Sequence, residues 1–204
     1  MSKLIAIHPQ NPQLRLISQV VDVLKSGGII AYPTDSGYAL GTMLGNKNGL
    51  DKIRQIRQLS KRHDFTLMMR DLSHIGEYAK LDNNAFRLLK KILPGAYTFI
   101  LAGTRDVPKR LLHEKKKTIG VRVSSHGVVQ ALLEELGEPL MSVSLILEGF
   151  EFYDIDDVRG AVDHQVDLII DDGYCPPEPT TVINLSGDDI EIIRHGAGDT
   201  SLIV

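Results

Sequence analysis

The sequence predicts an α/β fold, a twisted mixed sheet flanked by helices. Strand-like and helix-like segments alternate through most of the chain. Three of the helical segments open on Asp or Asn and several stop at glycine. Three β-like runs crowd the last third, which calls for antiparallel as well as parallel pairing.

Leu4–Ile7 reads as an opening strand. Asn11-Pro12 offers an N-cap with proline at the first helical position, and Leu14, Ile17, Val21 and Leu24 follow at helical spacing to a stop at Gly27. Gly28–Pro33 is an apolar β run, Thr34-Asp35-Ser36-Gly37 its turn, and Tyr38–Leu44 the returning strand. Residues 47–59 are helical, with Leu50, Ile53 and Ile56 on one face. Phe65–Met69 is a buried-type strand, and Asp71–Ala79 and Asp82–Leu93 are helices, the second closed by Pro94-Gly95. Tyr97–Leu101 and Thr118–Val123 are strands, the latter preceded by Lys115-Lys116-Lys117. Val128–Leu136 is a helix ending at Gly137, Leu140–Leu147 a strand and Ile155–Val162 a short helix. Asp167–Ile170, Thr180–Leu185 and Ile190–Arg194 are the closing β runs.

With 204 residues, 43% hydrophobic and 24% charged, the chain is long enough for one domain over residues 1–204, and disordered, collagen-like and coiled-coil classes are excluded. Its apolar runs are far shorter than the ~20 residues a bilayer takes, and the N-terminus has no long apolar stretch of a signal peptide. A single cysteine, Cys175, cannot form an internal disulfide. A cytoplasmic protein without a membrane partner is expected. Net charge is −3, yet residues 50–117 hold 16 of the 23 Lys and Arg against 7 of the 26 Asp and Glu. A polyanion responds to such a local field rather than to total charge.

No phosphate loop, dinucleotide fingerprint or nucleophile elbow occurs. One cysteine and seven scattered histidines do not suggest a zinc site, and no metal site is expected. What remains is a set of hydroxyl and guanidinium residues at strand ends: Thr34, Arg57, Thr66, Arg122, Ser142, Ser144, Thr180 and Arg194. Ser142 and Ser144 alternate and so share a side of their strand. Arg122 stands in a strand of Ile and Val, where an unpaired charge costs several kcal/mol, so it needs either an acidic partner or an anionic ligand. Together these residues would suit a phosphate- or carboxylate-bearing ligand.

Tyr32-Pro33-Thr34-Asp35-Ser36-Gly37-Tyr38-Ala39-Leu40-Gly41 resembles the Pro-Thr-[Glu/Asp]-Thr-x-Tyr-Gly-Leu-Gly signature of the YrdC-like family, more closely its YciO branch. Pro94-Gly95-x-Tyr-Thr-Phe-Ile-Leu, Gly120-Val121-Arg122-Val123, Thr180-Thr181-Val182-Ile183-Asn184-Leu185 and Ile193-Arg194-x-Gly196 match further blocks in order, over nearly the whole chain. The resemblance implies a sheet with a concave basic surface that binds nucleotide and double-stranded RNA. It also implies L-threonine, bicarbonate and ATP as substrates of a threonylcarbamoyl-adenylate synthase serving the N6-threonylcarbamoyladenosine modification of tRNA, with magnesium carried on the phosphates. By the same resemblance, Thr34 falls on a substrate-side threonine, Arg122 on a ligand-facing arginine, Thr180 on a serine that precedes Thr-Val, and Arg194 on a late arginine. Lys61, Arg62, Lys115, Lys116 and Lys117 are the expected RNA contacts.

Two motifs depart. The synthases carry Lys-x-Arg and Ser-x-Asn where this chain has Arg57-Gln58-Leu59 and Ser142-Val143-Ser144. Losing one preorganised donor typically costs ~10²–10³ in rate, unless Lys61 or Arg62 replaces the charge missing at Leu59. The expected function is therefore an RNA- and nucleotide-binding protein linked to tRNA modification. An active synthase with a variant site, and an enzyme removing the threonylcarbamoyl group, are the alternatives.

Overall fold

A computed structural model describes residues 1–60, 63, 65–187 and 189–203. Among them ten strands form one mixed sheet: β1 (Lys3–Ala6), β2 (Ile30–Thr34), β3 (Gly37–Met43), β4 (Thr66–Met68), β5 (Tyr97–Ala102), β6 (Thr118–Arg122), β7 (Leu140–Ser144), β8 (Leu168–Asp171), β9 (Thr181–Asn184) and β10 (Glu191–Arg194). Their order across the sheet is β1-β8-β2-β3-β7-β4-β6-β5-β9-β10. The pairs β1/β8, β2/β8, β4/β6 and β5/β9 are parallel and the other five antiparallel.

Side chains alternate across a strand, so each strand feeds two layers. On one face α2 (Lys47–Ile56), α3 (Leu72–Tyr78), α4 (Asn83–Ile92) and α6 (Ile155–Val162) pack on Ala31, Leu40, Leu67, Phe99, Val121 and Met141. On the other, α1 (Leu14–Lys25) and α5 (Gly127–Leu136) cover Ile30, Tyr32, Ala39, Met68, Leu140 and Leu168. That second layer stops short. Beyond it, the same face carries Thr66, Thr98, Gly120, Ser142 and Ser144.

The uncovered face is concave. Arg122 lies four strands from β2, about 19 Å in a flat sheet, yet its guanidinium donates to Thr34 Oγ1 at 3.2 Å. Arginine and threonine side chains cannot bridge a flat sheet, so the sheet curls back on itself. The segment between β8 and β9 ties the rim: Pro177 lies so close to Gly37 that a Cβ there would come within 3.0 Å of its Cα, and Thr180 bonds Thr98 at 2.9 Å.

Element boundaries differ from expectation by two or three residues in four places: α2 ends at Ile56 rather than 59, β2 starts at Ile30 rather than Gly28, and the start of α1 and the end of β7 also move. Helix α1 starts at Leu14 with Gln13 as an N-cap that makes no side-chain bond, so Asn11-Pro12 lies outside it. Strand β7 ends at Ser144 rather than Leu147, where its pairing with β3 stops. The acidic helix starts hold: Asp71 accepts from His74 N and Asp82 from Ala85 N. Among the described residues no helix is long and apolar enough to cross a membrane.

Helix α2 ends in a Schellman motif. Leu59 N donates to Arg54 O at 2.9 Å, and Gln58 N to Gln55 O at 3.2 Å, with Gln58 at φ 50°. Left-handed backbone is costly for a residue with a Cβ. Gln58→Gly is therefore expected to raise stability by about 0.5–1 kcal/mol in urea denaturation.

Candidate functional site

The turn after β2 builds the site. Thr34 donates its hydroxyl to Gly37 O at 2.6 Å and accepts from Ser36 N at 3.1 Å, which closes the turn and aims Asp35 at the end of β6. Arg122, 4% exposed, pairs with the Asp35 carboxylate. Asp35 also accepts from Ser124 Oγ at 2.8 Å, Ser125 N at 2.7 Å and Ser125 Oγ at 2.9 Å. Burial works to raise the Asp35 pKa, but the Arg122 charge and the Ser125 and Ser124 donors outweigh it and hold the carboxyl below its usual range. Of the two options open to Arg122, the acidic partner is present. The pairing does not exhaust it, because Arg122 Nε is buried with no hydrogen-bond partner.

A cavity of about 30 Å³ lies over this arginine, lined by Ala39, Thr66, Met68, Thr98, Arg122, Ser142, Val143 and Ser144. It is the size of roughly one water, so a larger ligand would lie along the open face. Register explains the grouping, since Thr66 pairs with Ser142 and with Gly120, and Met68 with Arg122. Tyr32 and Ser142 share a 2.6 Å hydrogen bond, and burial raises the Tyr32 pKa to about 12, so Tyr32 stays a neutral hydroxyl.

Two further arginines mark the rims. Arg57, the C-cap of α2, donates Nε to Ser144 O at 2.6 Å. Burial lowers its pKa from the usual guanidinium value. Opposite, Arg194 donates Nε to Thr180 O and a terminal nitrogen to Thr180 Oγ1, both at 3.0 Å, and Thr180 Oγ1 meets Thr98 Oγ1. Of the expected residues, Thr66, Arg122, Ser142 and Ser144 line the cavity, and Thr34, Arg57, Thr180 and Arg194 connect to its lining through hydrogen bonds to Arg122, to Ser144 and, by way of Thr180, to Thr98.

The expected RNA contacts are placed elsewhere or not at all. Lys115, Lys116 and Lys117 form an exposed turn at the start of β6, the end away from Arg122, where His113 Nδ1 accepts from Lys115 N and Lys116 N. Lys61 and Arg62 lie outside the described residues. The cations of α2 and α4 sit on helices behind the sheet.

Ser124, Ser125, Tyr32 and Thr98 join the site without having been singled out, and Asp35, noted with Thr34 and Ser36 at the end of the strand run, proves to be the partner of Arg122. A signal existed for two of them, since Ser124-Ser125 directly follows the unusual Arg122-Val123. Among the described residues no carboxylate lines the cavity, and both Asp35 oxygens already hold donors, so those residues do not fit a magnesium ion held by the protein.

Cys175 is buried beneath the turn, 3.5 Å from Thr34 O, and burial pushes its thiol up to about 11. The folded protein is expected to resist iodoacetamide at neutral pH and to react fully once unfolded, as mass spectrometry would read.

Known proteins share this fold. The family model described as Sua5_yciO_yrdC, telomere recombination, matches residues 22–196. The chain is 54% identical over 201 residues to Escherichia coli YciO, covering 98% of each, and its fold matches the crystal structure of that protein with a TM-score of 0.95 over all of both chains at 53% identity. A threonylcarbamoyl-AMP synthase of Vibrio vulnificus is 29% identical over 158 residues, 76% of this chain and 84% of that one. Sua5 of P. abyssi, crystallised with L-threonine, shares the fold alone, with a TM-score of 0.87 at 21% identity over 96% of this chain and 58% of that one. A family model spanning most of the chain, and a relative more than half identical along its whole length, show that this chain belongs to the Sua5/YciO/YrdC family.

Proposed function

We propose that this chain binds a nucleotide on the hollow face of its sheet, with RNA as its macromolecular partner, in the threonylcarbamoyl modification of tRNA, and that it does not make the adenylate efficiently. The observation that carries this reading is Arg122, whose unpartnered Nε lies in a cavity lined by four hydroxyl residues, with Arg57 and Arg194 bonded to its two sides. A guanidinium over a row of hydroxyls suits phosphoryl and acyl oxygens. The relatives named as threonylcarbamoyl-AMP synthases support an adenylate, formed from ATP, L-threonine and bicarbonate, as the class of ligand. Magnesium would arrive on the nucleotide's phosphates, the way this ion usually reaches such sites.

Weak synthesis follows from two side chains. Leu59 packs against the hydrophobic core and offers no charge, and the Ser144 side chain offers one hydroxyl while its carbonyl already accepts from Arg57. Incubation with ATP, L-threonine, bicarbonate and tRNA, followed by nucleoside analysis and pyrophosphate measurement, tests the reading. ATP and tRNA binding are expected, the latter weakening steeply with salt, with pyrophosphate near background. Pyrophosphate release that needs threonine and bicarbonate together would mark an active synthase. Loss of the modified base would mark a removing enzyme. Salt-insensitive or absent tRNA binding would end the RNA part of the reading.

A further inference from the structure

We propose that His126 and Asp172, which touch neither the cavity nor Arg122, are positioning residues of the Arg122 site; the proposal rests on reading that hollow as an anion site. Arg122 ends β6, and residues 123–126 turn the chain into α5. Two carboxylates from neighbouring strands rivet this corner. Asp35, just past β2, holds Arg122, Ser124 and Ser125. Asp172, just past β8, accepts the Nε2–H of His126 at 2.7 Å. The two rivets communicate through Ser124, which is fully buried: its hydroxyl donates to Asp35 and accepts from His126 N at 3.2 Å, and its carbonyl accepts from Gln130 Nε2 at 2.6 Å.

The chemistry of the pair points to position rather than packing. An N-cap residue usually satisfies the first turn with its own side chain, but His126 makes no such bond and turns its ring to Asp172 instead. His126 Nδ1 and Asp172 Oδ1 are both buried without a partner, so two polar side chains are taken from water for a single hydrogen bond. Burial on those terms gives little stability, and the geometric return is the corner itself. With one rivet removed, the 122–126 segment pivots on Asp35 and the guanidinium leaves its place over the cavity.

The full-length chain tests this with two readouts. In His126→Ala and in Asp172→Ala, the Arg122 Nε–Hε resonance is expected to shift and the dissociation constant for ATP to rise about tenfold. The double variant should be no worse than either single one. His126→Gln, whose amide nitrogen can stand where Nε2 does, should restore both readouts. If an alanine variant fails to fold, Asp172→Leu removes the acceptor while filling the space and should give the same losses. An Arg122 resonance unmoved in the folded variants, or additive losses in the double variant, overturns the proposal. A wild-type chain that fails to bind ATP overturns the functional reading instead, and the Arg122 resonance still decides this one.

Discussion

Asp35→Ala is expected to lower stability by about 3–5 kcal/mol, because it strands the buried Arg122 charge rather than merely deleting a contact. For a chain of this length the melting temperature should fall by roughly 6–20 °C, and urea denaturation should show a lower midpoint with an unchanged slope. Adding Arg122→Met to Asp35→Ala should recover much of that loss, since an apolar pair of similar volume avoids the stranded charge. The same double variant should lose ATP binding altogether. Stability and binding would then separate at one residue pair, which an ordinary core contact cannot produce.

The pH dependence has a definite sign. The Asp35 carboxyl is held below its ordinary value in the folded protein, with burial opposing and the Arg122 charge, Ser125 and Ser124 prevailing. Its contribution is therefore complete above the unfolded pKa of about 4 and is lost as pH falls through the folded value. The gap between wild type and Asp35→Ala should be constant near neutrality and should narrow below about pH 4. A gap that widens on acidification, or a loss under about 1 kcal/mol at neutral pH, would mean that the pair is not the buried clamp described above.

Leu59→Arg combined with Ser144→Asn is expected to raise threonine- and bicarbonate-dependent pyrophosphate release by about 10²-fold or more, on the scale of a restored preorganised donor. The two changes are not equal in structural cost. Ser144 is exposed at the end of β7, so Asn fits there without repacking. Leu59 is the apolar residue that closes the Schellman turn of α2 and packs against the core, so arginine there should cost about 1–2 kcal/mol. Adding Gln58→Gly should offset part of that cost. A well-folded triple variant with pyrophosphate still at background would place the deficit elsewhere in the hollow, and the low-synthesis reading would then lack its stated cause.

The alternation of elements, the acidic caps of α3 and α4 and the apolar faces of α1 and α2 were legible because they depend on residues a few positions apart. Spacing along a helix or strand fixes which side chains share a face. The hydroxyls of Ser142 and Ser144 were legible for the same reason, and both line the cavity. The start of α1 was misread because Asn11-Pro12 has the composition of a cap, while the chain between β1 and α1 continues to Gln13 before the helix turns.

The choice between an acidic partner and a ligand for Arg122 was open in the sequence, since Asp35 lies 87 positions away and no local rule links the two. The curl of the sheet brings them together, and curl is a property of ten strands paired at once. For the same reason most described cations of the basic middle disperse over helices behind the sheet and a turn at the far end of β6, whereas Arg57, from that same run, bonds Ser144 O beside the cavity that Arg122 lines. Local patterning is set by short-range sterics and hydrophobicity, but the position of a charge in space depends on long-range closure.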